Sequence, residues 1–444
     1  MPVSDIHLAG ECEQVLEVAR GTCEAAEVFA VSQVRTPVSF EQNRLKGVET
    51  TDHTRIVARV AVDGRLGLAT TTRTGDAADL VRKAVANARF GGPFDFAFAP
   101  PSSPPTVDMF DPDVPDYPLD RMLDMGQDLV DTVREYDPNV LVTAEVVRGT
   151  TSVAVASSGG FRGAQSRTQF SVACWAELTE GQNFLYVGRG INSARPDIDI
   201  ERLKAGVITS LRAGRRNVPV RSGRYPVIIT PYAIHDLLGP VLASVNGQAV
   251  ERGFSPWRDK LGETVLDERL SVFDDATLPY GARSAAFDDE GIPTRRLPLI
   301  ERGRLVNFLL DLRSAHALAL PPTGTAQRGL TGVPAPGFSN LVVAPGDTPV
   351  DDMLKSVHAG LVIERLQGAW AGNPYGGDVA GNIDLGFKVE NGEITGRVKD
   401  SILSFNAFEI LRHGILAISA ETDRSGPFTA PWILLDGASV STKS

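Results

Sequence analysis

The stretch Ala286-Phe-Asp-Asp-Glu-Gly-Ile-Pro-Thr-Arg-Arg-Leu-Pro-Leu-Ile-Glu-Arg-Gly-Arg-Leu305 sets the pattern for this chain. An acidic turn, Phe287 to Thr294, leads into a short predicted strand, Leu297 to Ile300. A second turn at Glu301-Arg302-Gly303 leads into another, Arg304 to Leu310. Asp288, Asp289 and Glu290 are adjacent in sequence. Adjacent side chains face opposite ways in a strand and splay in a turn, so the three do not converge on one ion unaided. Two readings stay open: a turn whose carboxylates cap backbone N–H groups, or an acid/base site with these residues as catalytic candidates.

Working outward, the same mixture recurs. Tyr225 to Thr230 reads as a buried strand and Ala233 to Val245 as an apolar helix. Arg313 to Leu320 reads as a helix, and so does Thr348 to His358, with Thr348 as N-cap and Gly360 at its end. Phe387 to Ile394 is a hairpin turned by Asn391-Gly392. Upstream, helices are predicted over Gly10–Glu27, Asp76–Arg89, Leu119–Tyr136 and Ile198–Ala213. Strands are predicted over Val28–Val34, Thr54–Val62, Leu66–Thr72, Val140–Val147, Ser152–Ala156, Gln169–Glu177 and Phe184–Gly188. Short strands alternating with single helices, without a βαβ rhythm, predict an α+β fold with mixed or antiparallel sheets. Two domains are expected, 1–220 and 221–444, with a Pro-rich connector over 99–118 in the first.

The 444 residues are 42% hydrophobic and 22% charged, ordinary for a globular protein. The net charge of −11 at pH 7 disfavours nucleic acid as a partner. The basic run Arg212-Ala-Gly-Arg-Arg216 reads as a helix C-terminus offsetting its dipole. No apolar run is long enough to span a bilayer, and Met1 to Gly10 lacks the pattern of a secretory signal. The three cysteines, Cys12, Cys23 and Cys174, form no zinc-spaced cluster and fit a reducing cytoplasm. Cys12 and Cys23 fall on one predicted helix; Cys174 reads as a buried structural thiol.

The common catalytic strings are absent, including H-E-x-x-H and the Gly-rich phosphate loops. None of the six histidines lies three or four residues from another, so no helix presents two imidazoles to a metal. His235 reads as a polar edge on an apolar helix. The Gly-rich segment Gly368 to Gly381 sets Trp370, Asn373 and Tyr375 among glycines that let backbones approach. It suits a loop lining a peptide groove; it also suits a plain connector between strands.

Several of these segments together resemble the TldD/PmbA family, formerly described as modulators of DNA gyrase. The resemblance lies in Phe287-Asp-Asp-Glu-Gly291, Ile300-Glu-Arg-Gly-Arg-Leu305, Pro322-Thr-Gly324 with Arg328, Pro345-Gly346, and Val389-Glu-Asn-Gly-Glu-Ile394. It covers most of residues 225–400 and implies a cytoplasmic peptide-processing system. The TldD-type member resembles a zinc peptidase with an H-E-x-x-x-H helix and a C-terminal cysteine ligand. The PmbA/TldE type lacks those ligands and forms a heterodimer with it.

Counting back from Gly262-Glu263 places Leu238 and Ala243 where the histidines would stand, and Gly239 in place of the glutamate. Gly239 to Val250 holds no His, Cys or acid, and no cysteine follows Cys174. Leu and Ala do not bind zinc, and no carboxylate remains there to activate water. The resemblance therefore implies a PmbA/TldE-like subunit with no cofactor of its own, zinc being expected in a TldD-type partner. Peptide is the expected substrate, with Trp370, Asn373 and Tyr375 as groove residues. The alternatives are a self-sufficient non-zinc hydrolase and a non-catalytic, peptide-binding homodimer.

Overall fold

A computed structural model describes residues 3–442. Helix α1 (Val3–Arg20) is followed by strands β1 (Ala25–Glu41), β2 (Arg44–Val48), β3 (Thr51–Val62) and β4 (Arg65–Thr71). Helices α2 (Ala77–Ala88) and α3 (Leu119–Tyr136) flank an irregular, Pro-rich crossing. Then come β5 (Leu141–Ser157), β6 (Arg162–Glu180), β7 (Asn183–Ser193) and α4 (Ile200–Gly214). The seven strands form one antiparallel sheet in the order β4-β3-β1-β5-β6-β7, with β2 folded onto β1.

The rest begins with β8 (Gly223–Ile229), α5 (Ile234–Ser244), α6 (Gly247–Glu251), β9 (Val272–Asp275), β10 (Arg296–Glu301), β11 (Arg304–Leu305) and α7 (Leu312–Ala317). It continues with β12 (Ala326–Arg328), β13 (Pro334–Pro336), β14 (Leu341–Val343), α8 (Val350–Lys355), β15 (Ala359–Gln367), β16 (Asp378–Glu390) and β17 (Glu393–Arg397). It ends with β18 (Ser401–Asn406), α9 (Ala407–His413), β19 (Ile415–Ser425) and β20 (Phe428–Thr442). Except for the small β12–β13 ladder, these strands build an eleven-stranded mixed sheet. It is mixed because β15 runs parallel to β8 and β14 parallel to β20. The α+β class with mixed and antiparallel sheets is thus the observed one.

The period of two along β1 explains how the pieces assemble. Val28 and Ala30 face one way, into a core with Leu8, Val15 and Leu16 of α1 and Leu80, Val81 and Ala84 of α2. Phe29 faces the other way and packs with Val57, Val155 and Phe161 against Phe287, Ile292 and Leu312. The acidic turn is therefore clamped on the outer face of the first sheet. Phe161 and Phe287 meet edge to face at 5.1 Å, a contact worth about 0.5–1.5 kcal/mol beyond its area. Farther along the sheet, Phe40, Val172 and Val187 share a core with Leu203, Val207 and Leu211 of α4 and with Ile228, Leu385 and Phe387 of the second sheet.

Several element boundaries differ from the sequence reading. The first helix ends at Arg20, so Cys23 lies beyond it and does not share it with Cys12. The strands expected at Val140–Val147 and Ser152–Ala156 are one, β5. Gly149, between the two expected strands, sits inside the ladder, where an added Cβ would come 2.7 Å from the Val34 carbonyl oxygen. The strand expected over Arg304–Leu310 stops at Leu305; beyond it the Leu309 N–H turns to the Val245 carbonyl. The helix expected at Thr348–His358 is shorter. Pro349, not Thr348, is its N-cap, and Gly360 lies within β15. Arg215 of the basic run is held by Asp137 and Glu180. Among the described residues no helix is long and apolar enough to cross a membrane.

Candidate functional site

The acidic turn reverses at Gly291, whose φ of +85° favours glycine. A Cβ there would also lie 2.4 Å from the Phe161 ring. The Asp288 side chain closes the turn by accepting the N–H groups of Glu290 (3.0 Å), Ile292 (2.9 Å) and Ala326 (2.9 Å). Asp289 accepts the Arg328 N–H at 2.7 Å. Glu290 accepts the Leu312 N–H at 2.7 Å through Oε2 and pairs with Arg59 at 2.6 Å through Oε1. Arg59 also reaches Glu27 at 3.1 Å, and Glu27 in turn pairs with Arg328. The chain Glu290–Arg59–Glu27–Arg328 thus ties strands of the first sheet to the turn and to β12.

Glu290 is fully buried and Arg59 is 5% exposed. Burial raises all three carboxyls of the turn above the ordinary range; Asp288 is raised furthest, with Glu290 adding to the effect. Burial also disfavours charge on Arg59, but Glu27 and Glu290 outweigh it and keep the cation. The three acids point to different partners, as their adjacency predicts. Each has an oxygen committed to a backbone N–H, so in this arrangement they fix a chain connection.

The other candidate region surrounds α5. His235, Gly239 and Ala243 lie four residues apart and line one face of a cavity of about 460 Å³. Leu238 points into the core and is fully buried. The opposite wall is aromatic: Trp370, Tyr375, Phe254 and Phe338. Trp370 lies over His235 with ring centres 4.4 Å apart, and its Nε1 donates to Asp236 at 3.2 Å. A Cβ at Gly239 would come 2.1 Å from the indole, so the ring sits where a side chain would project from that position. Phe254 and Tyr375 approach at 5.9 Å. Asn373 does not line the cavity; its side-chain oxygen accepts the Tyr375 N–H and sets the turn that presents that ring. Burial lowers the His235 pKa and raises that of Asp236.

Residues able to hold a metal are too few on this face. Gly239 and Ala243 offer no side-chain donor, and Leu238 is turned into the core. His235 is covered by the indole, and one Asp236 oxygen accepts from Trp370. Among the described residues no group of three or more His, Cys, Asp or Glu side chains is arranged to hold a metal ion. Cys174 on β6 is a core residue, and burial pushes its thiol up to about 12. The site as built does not fit zinc.

Sequence reasoning singled out Trp370 and Tyr375, and the fold brings them together with the α5 face. It missed Phe254 and Phe338, which come from separate loops with no local motif. It also missed Arg59 and Glu27, whose meeting with Glu290 depends on the docking of the turn.

Two β-sheets, one antiparallel and one mixed, joined by a buried charge network beside an aromatic cavity, define the class of protein. The PmbA/TldA metallopeptidase C-terminal domain matches residues 222–442, domain 1 matches 26–88, and the central domain matches 112–216. The chain belongs to the PmbA/TldD family. TldE from Thermococcus kodakarensis superposes with a TM-score of 0.89 at 21% identity, covering 97% of this chain and 99% of that one. An uncharacterized protein of Methanocaldococcus jannaschii is 24% identical over 433 residues, 96% of this chain and 99% of that protein. The metalloprotease PmbA of Escherichia coli O157:H7 is 31% identical over 188 residues, which span 42% of this chain and 39% of that protein.

Proposed function

We propose that this chain is a metal-free, PmbA/TldE-type subunit of a cytoplasmic peptidase complex, with zinc carried by a TldD-type partner. Its own part is to hold peptide and to shape the channel. The observation that carries the reading is the α5 face: it presents Gly239 and Ala243 with Trp370 packed over Gly239, and these, with the buried Leu238, are the residues that the resemblance sets at the ligand positions. The likeness in fold to a TldE supports the same assignment. Exposed aromatic faces on Trp370 and Phe254, 45% and 58% exposed, offer apolar contact to side chains of a bound peptide. Burial lowers the pKa of the neighbouring His235 and so disfavours a cation beside the cavity.

Metal analysis and peptidase assays on the pure chain, then on the chain co-expressed with an H-E-x-x-x-H partner, test the proposal. The pure chain should carry no stoichiometric zinc and cleave nothing, and the mixture should cleave in a chelator-sensitive way. Stoichiometric zinc in the pure chain, or chelator-sensitive cleavage without a partner, overturns it.

A further inference from the structure

A second cavity, of about 300 Å³, opens between the outer face of the first sheet and the acidic turn. Four arginines line it. Arg328 is committed to Glu27, and Arg55 donates to the carbonyls of Gly329 and Leu330. The other two, Arg167 on β6 and Arg283 in the loop after β9, have no ion pair or hydrogen bond at their guanidinium groups among the described residues. They are close enough to oppose each other: burial, and for Arg167 also the charge of Arg283, lower their pKa values. Arginine nonetheless stays protonated, so two cations without a direct ion pair share one cavity, offset only at a distance by Asp289 for Arg167 and by Asp274 for Arg283.

The acids of the wall are otherwise engaged. Asp274 accepts both the N–H and the hydroxyl of Ser339 at 2.7 Å, and burial pushes its carboxyl up to about 7. Asp289 is held by the Arg328 N–H. The Arg283 guanidinium lies 5.8 Å from the Phe338 ring centre, and Phe338 also lines the aromatic cavity beside α5. One phenyl ring thus stands between a cationic cavity and an apolar one.

We propose that Arg167 and Arg283 bind the carboxylate of a peptide whose neighbouring apolar side chains occupy the aromatic cavity across Phe338. This rests on the peptide-holding role argued above. Guanidinium groups match the two oxygens of a carboxylate geometrically. A phosphate dianion fits less well, because Asp274 and Asp289 already add negative potential to the wall. The carboxylate is either a chain terminus or an acidic side chain.

Calorimetry on the purified chain with three probes tests this: N-acetyl-Phe-Leu-Gly as the free acid, the same peptide as its amide, and N-acetyl-Phe-Leu-Asp amide. The free acid should bind about tenfold more tightly than its amide, the size of one charge-assisted contact. Arg283→Gln and Arg167→Gln should each remove that preference and leave amide affinity unchanged. Arg283 lies in a loop and is exposed, so its variant serves even where the other fails to fold. If the Asp-containing amide recovers the preference, an acidic side chain is accepted; if it does not, the terminus is the ligand. Equal binding of acid and amide, abolished by Trp370→Ala, overturns the carboxylate site and leaves the groove standing. A preference that survives both arginine substitutions overturns it as well, as does phosphate displacing the free acid at lower concentration than acetate. Failure of all three probes to bind overturns site and groove together.

Discussion

The acidic turn and the α5 face are the two regions of this molecule that first suggest chemistry, and they are built on opposite principles. The turn concentrates charge: Asp288, Asp289 and Glu290 adjoin Arg59, Glu27 and Arg328. Yet these groups are buried, or in Asp289 and Arg328 partly so, and partnered, several by backbone N–H groups. The α5 face has little charge and no reactive side chain beyond His235 and Asp236, yet it opens onto a cavity walled by exposed rings. Reactive residue types mark the region that holds the fold together, and plain ones mark the region that can accept a ligand. What separates them is whether their hydrogen-bonding capacity is already spent.

The sharpest way to break this contrast is at Arg59. Replacing it with Met leaves Glu27 and Glu290 buried with a cation missing between them. Breaking a buried pair from one side typically costs about 3–5 kcal/mol, and urea unfolding of Arg59→Met should show a loss of that size. A loss below about 1 kcal/mol would mean that the network is ornamental to the fold and that its acids are free for other work.

The second expectation is a pH effect at Asp274, on the rim between the two regions. Its folded pKa is raised to about 7 by burial, above the ordinary carboxyl value near 3.9. A raised carboxyl pKa contributes stability that is full below about pH 4 and is lost as pH rises through about 7. Asp274→Asn keeps an acceptor for Ser339 and does not titrate. Its stability relative to the parent should therefore improve between pH 4 and pH 7, by on the order of 2–4 kcal/mol. Chemical denaturation at a series of pH values checks this; parallel curves for the two proteins would refute it.

The same contrast explains what the sequence disclosed. Elements with strong local signals were readable: α3 falls at Leu119–Tyr136 as its apolar spacing predicts, and Asn391-Gly392 turns β16 into β17. The single strand β5 was read as two, and Gly149 in the gap between them marks a close strand approach rather than an end. The turn was legible as a connection, since three adjacent acids splay. Its partners were not, because Arg59 lies 231 residues from Glu290 and nothing local marks the pairing. The cavity was half legible: glycines around Trp370 and Tyr375 announced a close approach, while Phe254, Phe338 and the two unpaired arginines become neighbours through tertiary packing alone.

The smallest effect is expected at Gly239, where it tests whether the indole is seated or merely resting. An alanine Cβ would lie 2.1 Å from Trp370, so one of the two must move. The helix is buried against the second core, whereas Trp370 is 45% exposed on a Gly-rich loop, so the ring is the part that yields. Added volume in a packed site costs about 1–3 kcal/mol. The low end applies here, because the ring can swing outward, losing its stack on His235 and its bond to Asp236. Alanine's better helix propensity returns up to about 1 kcal/mol. Gly239→Ala should therefore change stability by about 1 kcal/mol or less, with a red shift of the Trp370 emission measured in a protein whose other tryptophans are replaced by Phe. Combining it with Trp370→Ala should remove the steric cost and leave the helix gain, making the double variant more stable than Trp370→Ala alone. If the double variant is instead less stable, Gly239 is required by the helix itself, and the indole does not account for the missing side chain at that position.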